Sequence, residues 1–223
     1  MIKTDNISYL KRGYDKNKLR KIVFMDRDGT IHIDKVETHL INDLEFFPDT
    51  VSFMQKVTSL GYDIIVVTNQ SGIGKGHYDI ETMKEFNLYM VQELGKYGIN
   101  ILAVLYCPHI KEDNCPCMKP KSGMFKRARE LFSIDMNSSI MVGDQTSDVL
   151  ASINIGITEN YLVTTGIYDG KYVLPTELSG KVTVCKNLTE AEEHIKYAEE
   201  QVKMFEEVYD KVKEIYSDKE VEA

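Results

Sequence analysis

Apolar residues in this chain fall into short unbroken runs separated by stretches of helical period. Ile22-Val23-Phe24-Met25 is the first clear run, and it stops abruptly at Asp26. Asp63 to Val67, Ile101 to Tyr106 and Ser139 to Val142 repeat the form, with weaker runs near Tyr161–Val163 and Lys181–Val184. Runs of this length bounded by polar residues read as strands buried on both faces. Between them, Pro48-Asp49-Thr50 opens a helix with Val51, Met54, Val57 and Leu60 on one side and Gly61 as its stop. A second helix, from about Asp79 to Tyr97, turns Met83, Phe86, Met90, Val91 and Leu94 inward and stops at Gly98; a third spans Ser122 to Phe132. Strands alternating with helices predict an α/β fold with a parallel central sheet and helices on both faces. Ligands of such sheets bind at the carboxyl ends of the strands. The polar clusters of this chain lie there.

The two ends of the chain depart from the alternation. Residues 1–20 are polar and basic without a clear period and read as an N-terminal arm. Residues 31–45 read as a loop or small flap, so the main domain is expected over 21–188. At the far end, Thr189 and Glu192 have the spacing of a capping box opening an amphipathic helix over 189–223. Ile195, Ala198, Val202, Phe205, Tyr209, Val212 and Tyr216 recur three and four apart along it. Such a seam must be covered, by its own domain or by self-association with a second chain.

Composition narrows the class. At 223 residues and 43% hydrophobic content, one domain with an appendage can bury a sizeable core. A net charge of −8 offers no footprint for nucleic acid. No apolar run approaches the roughly 20 residues that span a bilayer, and the N-terminus lacks a signal-peptide core. A cytoplasmic protein without membrane contact is expected. Three of the four cysteines lie within eleven residues, which in a reducing compartment suggests metal rather than disulfides.

Asp26 and Asp28 stand at the mouth of the first strand, where alternation lets both address one site while Arg27 points elsewhere. Bare ionised burial is costly there, and a hard divalent cation would offset it. An acidic turn ending in Asp-Gly explains the pair equally well on its own. Asp144 and Asp148, at the start of a later helix, bring further acids to the same edge. Capping by Asp144 would account for one of them, but not for the convergence. Thr68 ends the second strand before the glycine-rich Ser71-Gly72-Ile73-Gly74-Lys75-Gly76, a flexible turn or an anion cradle with Lys75 at its rim. Cys107, His109, Cys115 and Cys117 have the donor set of tetrahedral zinc, with no position left open, hence a structural site. Lys119, two residues beyond, could project from that loop over the acids.

Asp26-Arg27-Asp28-Gly29-Thr30, Thr68-Asn69-Gln70-Ser71-Gly72, Lys119 and Gly143-Asp144 together resemble the four motifs of haloacid-dehalogenase (HAD)-type phosphatases. The Cys-Pro-His…Cys-x-Cys loop is similar to that of the zinc-loop subfamily of heptose bisphosphate and histidinol-phosphate phosphatases. The resemblance implies a HAD-like Rossmannoid domain with a minimal cap, the zinc loop at 107–119, and hydrolysis through an aspartyl-phosphate. It makes Asp26 the nucleophile and Asp28 the general acid and later base, with Thr68 and Lys119 holding the transferring group. It places Mg2+ on Asp26, Asp144 and the backbone carbonyl of Asp28, with Asp148 in support, and Zn2+ on the four loop ligands. Asp34, Lys35, Val36 and Glu37, together with Asn69, Gln70 and Ser71, would line the sugar side. Met118 stands where the family has a substrate-binding arginine, and Gln145 where heptose enzymes often have lysine. That leaves Lys75 and Lys35 as cations for a distal phosphate. The expected substrate is a small sugar phosphate, first a heptose 1,7-bisphosphate losing its 7-phosphate. The alternatives are histidinol phosphate and a zinc-stabilised binding protein without turnover.

Overall fold

A computed structural model of the chain describes residues 6–167, 170 and 174–217. Its strands are β1 (Ile7–Leu10), β2 (Ile22–Met25), β3 (Asp63–Asn69), β4 (Ile101–Cys107), β5 (Ile140–Gly143), β6 (Glu159–Val163) and β7 (Thr183–Cys185). They form one sheet in the order β1-β4-β3-β2-β5-β6-β7. All neighbours run parallel except β1, which lies antiparallel on β4. The chain builds outward from β2 through β3 to β4, then returns to lay β5 on the other side of β2. The order therefore reverses between β2 and β5, which opens a crevice at their carboxyl ends.

The strand β1 corrects the expectation of a plain arm over residues 1–20. Ile7-Ser8-Tyr9-Leu10 has no apolar run to announce it, and its residues are only half-buried. It forms because the exposed edge of β4 needs partners and a neighbouring helix supplies more: Asn87 Nδ2 donates to Ser8 Oγ at 2.9 Å.

The helices are α1 (Thr50–Ser59), α2 (Ser71–Gly74), α3 (Ile80–Gly95), α4 (Gly123–Leu131), α5 (Thr146–Ile153) and α6 (Leu188–Ser217). Strand alternation sorts them into two layers. Val23, Met25, Ile64 and Val66 pack with Phe53 and Met54 of α1, Met90 and Leu94 of α3, and Leu188 and Ile195 of α6. Ile22, Phe24, Ile65 and Val67 face the opposite layer, with Met124 and Phe125 of α4 and Ala151 of α5. Cys185, in β7, belongs to the core of the first of these layers. Among the described residues no helix is long and apolar enough to cross a membrane.

The start of α6 is capped two residues earlier than the Thr189/Glu192 spacing suggests. Asn187 Oδ1 accepts from the Glu190 amide at 3.1 Å, and Glu190 Oε2 from the Lys186 amide at 2.6 Å. Thr189 instead donates both its amide (2.9 Å) and its hydroxyl (3.1 Å) to Asp49 Oδ2, tying α6 to the start of α1. Farther along, Glu199 accepts from Lys21 Nζ at 2.8 Å and from Tyr62 Oη at 2.6 Å. The seam divides there. Ile195 is fully buried and Ala198 half-buried, whereas Val202, Phe205 and Tyr209 are exposed. The side chains of Val212 and Tyr216 lie outside the described residues.

Two variants test this division. Ile195→Ala should lower unfolding stability by about 2–4 kcal/mol, read from urea midpoints, because it opens a cavity under α6. Truncation after Gln201 should leave that midpoint nearly unchanged, since both Glu199 bonds survive. A large loss on truncation would mean that the exposed half of α6 holds the fold.

Candidate active site

The carboxyl ends of β2 and β5 bring three carboxylates together. Asp26 leaves β2 with its amide still bonded to the Val142 carbonyl of β5 at 2.9 Å. Asp144 follows β5, and Asp148 lies in the first turn of α5. One carboxylate oxygen from each lies within 4.8 Å of the others, and all three residues are buried. Lys119 enters from the cysteine loop: its Nζ sits 2.7 Å from Asp26 Oδ1, 2.5 Å from Asp148 Oδ1 and 2.7 Å from the Val67 carbonyl. Asp144 Oδ2 accepts from the Ile167 amide at 2.7 Å, but its buried Oδ1 has no hydrogen-bond partner among the described residues. The backbone crowds this group closely. A Cβ at Gly29, where φ is +76°, would lie 2.6 Å from Asp144 Oδ2. Asp144 does not cap α5: Gln145 holds that position, its amide donating to Asp148 Oδ2 at 2.9 Å.

Three carboxylates and one ammonium leave an excess of negative charge. Burial, then the charges of Asp26 and Asp148, push Asp144 up to about 9. Burial also raises Asp148 to about 7, although Lys119 pulls against it. Oxygen donors alone, one unpartnered, and a net charge that is costly without compensation fit a hard divalent cation.

The Asp28 side chain lies outside this trio, and Arg27 does not point elsewhere. The Arg27 guanidinium folds back on its neighbour, with Nε 3.0 Å from Asp28 Oδ2 and Nη2 2.8 Å from Oδ1. It is fully buried over the Phe86 ring, and it also donates to Asn87 Oδ1 (2.8 Å), the Thr38 carbonyl (2.7 Å) and Gln70 Oε1 (2.9 Å). Gln70 Nε2 at 2.8 Å and Thr68 Oγ1 at 3.2 Å complete the shell around Asp28 Oδ2. His32, also fully buried, places Nε2 3.5 Å from Asp28 Oδ1. Burial alone would raise the Asp28 carboxyl; the Arg27 charge and these bonds outweigh it and hold the group below its ordinary value. Asp28 is thus ionised beside a trio that is not fully ionised. Arg27, His32 and Asn87 escaped sequence reasoning because each, alone, looks like a surface polar residue.

The cysteine loop closes as its spacing suggests. Cys117 Sγ lies 3.1 Å from Cys107 and 3.5 Å from Cys115, and 3.2 Å from His109 Nδ1; Cys107 is 3.5 Å from His109 Nδ1. No pair is a disulfide. The edge of a tetrahedron of thiolates at zinc's bond length is about 3.8 Å, so the cluster fits a closed four-ligand site with slight expansion. Hydrogen bonding from Cys107 draws Cys117 down to about 5 and leaves Cys107 raised. Asn69 then locks the loop to β3, accepting from the Lys119 amide at 3.0 Å and donating to its carbonyl at 3.2 Å.

The remaining expected contacts are more mixed. Met118 packs against the apolar layer beside the loop cysteines rather than standing free at the crevice. Lys35 and Lys75 are not unpaired cations: Lys35 Nζ lies 3.0 Å from Glu45, and Lys75 Nζ 2.6 Å from Glu37. Asp34 accepts from the Thr38 hydroxyl at 3.2 Å within the flap, and Val36 is 87% exposed at its tip. Ser71 opens the one-turn helix α2, so the glycine-rich segment is ordered rather than a flexible turn. A Cβ on Gly74 would meet the Pro108 carbonyl at 2.9 Å, and one on Gly72 the Tyr78 ring at 2.3 Å. These glycines permit close packing of α2 between zinc loop and rim.

The raised acids set a pH dependence. Unfolded carboxyls titrate near 3.8, and folded Asp144 near 9. Between these values the folded state keeps a proton that the unfolded chain releases, so metal-free stability should fall as pH rises from about 5 to about 9. Millimolar Mg2+ should raise Tm by several degrees near pH 8.5 and by little near pH 5. A metal-free Tm flat across that range would reject the buried, under-compensated trio.

A HAD-hydrolase-like family model matches residues 116–191. A Thermoplasma volcanium protein named as a probable D-glycero-D-manno-heptose-1,7-bisphosphate 7-phosphatase is 46% identical over 125 residues, 56% of this chain and 86% of its own. The Helicobacter pylori D-glycero-beta-D-manno-heptose-1,7-bisphosphate 7-phosphatase is 33% identical over 177 residues, 79% of this chain and 97% of its own. Among solved structures, the D,D-heptose 1,7-bisphosphate phosphatase of B. bronchiseptica, complexed with magnesium and phosphate, superposes with a TM-score of 0.71 at 26% identity, over 80% of this chain and 99% of that one. Fold, acid constellation and relatives agree: the chain belongs to the HAD-like phosphatases, in the family that contains the heptose-1,7-bisphosphate 7-phosphatases.

Proposed function

We propose that this phosphatase removes the 7-phosphate of D-glycero-D-manno-heptose 1,7-bisphosphate through an aspartyl-phosphate on Asp26. The observation that carries the chemistry is the buried meeting of Asp26, Asp144, Asp148 and Lys119 at the reversal of strand order. The sugar rests on the names of the relatives.

In this reading an Asp26 carboxylate oxygen attacks phosphorus. The new O–P bond forms as the bond to the sugar oxygen breaks, and the departing alkoxide takes a proton from Asp28. Water then attacks the aspartyl-phosphate, its proton passing to Asp28, and Asp26 is released. Lys119 and Thr68 stand where they can neutralise and orient the transferring group. Asp26, Asp144 and the Asp28 carbonyl would hold Mg2+, with Asp148 in support; when bound it supplies charge neutralisation at the phosphoryl oxygens. The Arg27 shell keeps resting Asp28 ionised, which suits its role as base toward water; to serve first as acid it must load a proton as the dianionic substrate approaches. Zn2+ on Cys107, His109, Cys115 and Cys117 would be structural, rigidifying the loop that carries Lys119. A cytoplasmic setting keeps such thiols reduced for metal.

Asp26→Asn should lower turnover at least about a thousandfold with the far-UV spectrum unchanged. Assayed side by side with Mg2+, heptose 1,7-bisphosphate should be hydrolysed far more efficiently than histidinol phosphate or an aryl phosphate. Efficient histidinol phosphate turnover without heptose bisphosphate activity would reject the substrate. Metal analysis should return about one zinc per chain, and its chelation should depress kcat by loosening Lys119. Absence of zinc, with four reactive thiols in the folded protein, would reject the loop's role.

A further inference from the structure

Glu37 sits at the flap tip beside Val36, and both take left-handed backbone angles, φ 58° and 64°. That conformation is unfavourable for a β-branched residue, and Val36 is too exposed to be held there by packing. Hydrogen bonds on either side brace it: the Lys35 amide donates to Thr38 Oγ1 at 2.7 Å and the Glu37 carbonyl lies 2.7 Å from His39 Nδ1, and the Glu37 carboxylate adds a further tie. Its Oε1 accepts from Lys75 Nζ at 2.6 Å, and its Oε2 meets His77 Nδ1. Both partners stay about half exposed, 46% and 56%, so an ammonium and an imidazole converge on one carboxylate at a solvent-facing mouth. Hydrogen bonding from Lys75, then from His77, holds Glu37 below the usual carboxylate range.

The position is close to the reacting end. Tyr78, the residue after His77, donates to Gln70 Oε1 at 2.9 Å, and Gln70 donates to Asp28 Oδ2 at 2.8 Å. Two hydrogen bonds therefore separate the segment that carries Lys75 and His77 from the proposed acid. A bisphosphate brings to this mouth a second group that needs cationic partners, and Met118 supplies none.

We propose that Lys75 and His77 form the seat for the non-reacting phosphate of a sugar bisphosphate, and that Glu37 fills this seat until the substrate displaces it. The inference rests on the bisphosphate reading above. A phosphate offers more charge and more acceptor oxygens than the carboxylate it replaces. An ion pair this exposed biases the seat toward Glu37 by about fivefold at most, so displacement is feasible.

The test is the ratio of kcat/KM for heptose 1,7-bisphosphate to that for heptose 7-phosphate. Glu37→Gln should raise this ratio by about three- to fivefold, mainly through KM. Lys75→Met should lower it by roughly tenfold, and the double variant should behave as Lys75→Met, because the competitor matters only while the seat exists. A ratio that falls or stays unchanged in Glu37→Gln overturns the proposal. If wild-type protein hydrolyses other phosphomonoesters but not the heptose compound, the substrate reading fails separately. The same ratio is then read on a hexose 1,6-bisphosphate and its 6-phosphate. Independently of turnover, inorganic phosphate titrated into Glu37→Gln should shift the His77 ring resonances more than in wild type. No shift in that variant also overturns the seat.

Discussion

A fully buried ammonium among three buried carboxylates is the constraint around which the molecule is arranged. Lys119 cannot sit between Asp26 and Asp148 without partners, and the acids cannot sit together without it. Each is delivered by a different device: Asp26 by the end of β2, Asp144 by β5, Asp148 by the first turn of α5, and Lys119 by the cysteine loop. The reversal of strand order puts β2 and β5 side by side, and Asn69 fixes the Lys119 backbone from β3. One ammonium cannot balance three carboxylates, which is why the same geometry calls for a cation in the crevice.

Asp28 belongs to a second electrostatic compartment. Arg27 gives its own charge to Asp28 and its remaining donors to the flap at Thr38, to α3 at Asn87 and to the end of β3 at Gln70. A guanidinium with no exposure would be very costly unless every donor were used, so these elements hold one another in register. The two compartments push neighbouring carboxyls in opposite directions: Asp144 up to about 9, Asp28 below its ordinary value. Divergent environments for adjacent acids are what let a site divide nucleophile, metal-holding and proton-transfer roles among identical side chains.

The sheet and its inward helix faces were legible because burial forces a period on the sequence, and Met83, Phe86, Met90, Val91 and Leu94 all point where their spacing says. The metal-type clusters were legible because several rare residue types coincide at short separations. What escaped shares a different trait. The edge strand β1 owes its existence to β4 rather than to its own pattern. The cap of α6 lies at Asn187 because Asp49 claims Thr189. Arg27 was placed on the wrong side because strand alternation ceases to apply once the chain leaves β2 at Asp26. Lys35 and Lys75 seemed available because their partners, Glu45 and Glu37, meet them only through the fold of the flap. Each miss is a contact between residues whose pairing no local rule encodes.

The same division separates the chemistry from the selectivity. Residues that would move phosphorus are buried, multiply bonded and backed by close-packed glycines, so even a Cβ added at Gly29 would collide with the Asp144 carboxylate. The rim is built differently. His39 stacks on Tyr78 at 4.3 Å, Glu37 pairs with the half-exposed Lys75 and His77, and Val36 stands in water at an unfavourable φ. Contacts of that kind are individually weak and exchange readily with solvent. A rigid centre surrounded by such a rim can keep one phosphoryl-transfer geometry while the flap, α2 and the zinc loop change what is admitted. The zinc loop belongs to both regions: Cys107 and Cys117 are packed in the core, Pro108 touches α2, and Lys119 reaches the acids. Closure of that loop by a metal would therefore fix the Lys119 ammonium and one wall of the rim together. A cluster able to hold a metal beside the crevice can thus act through the loop it closes.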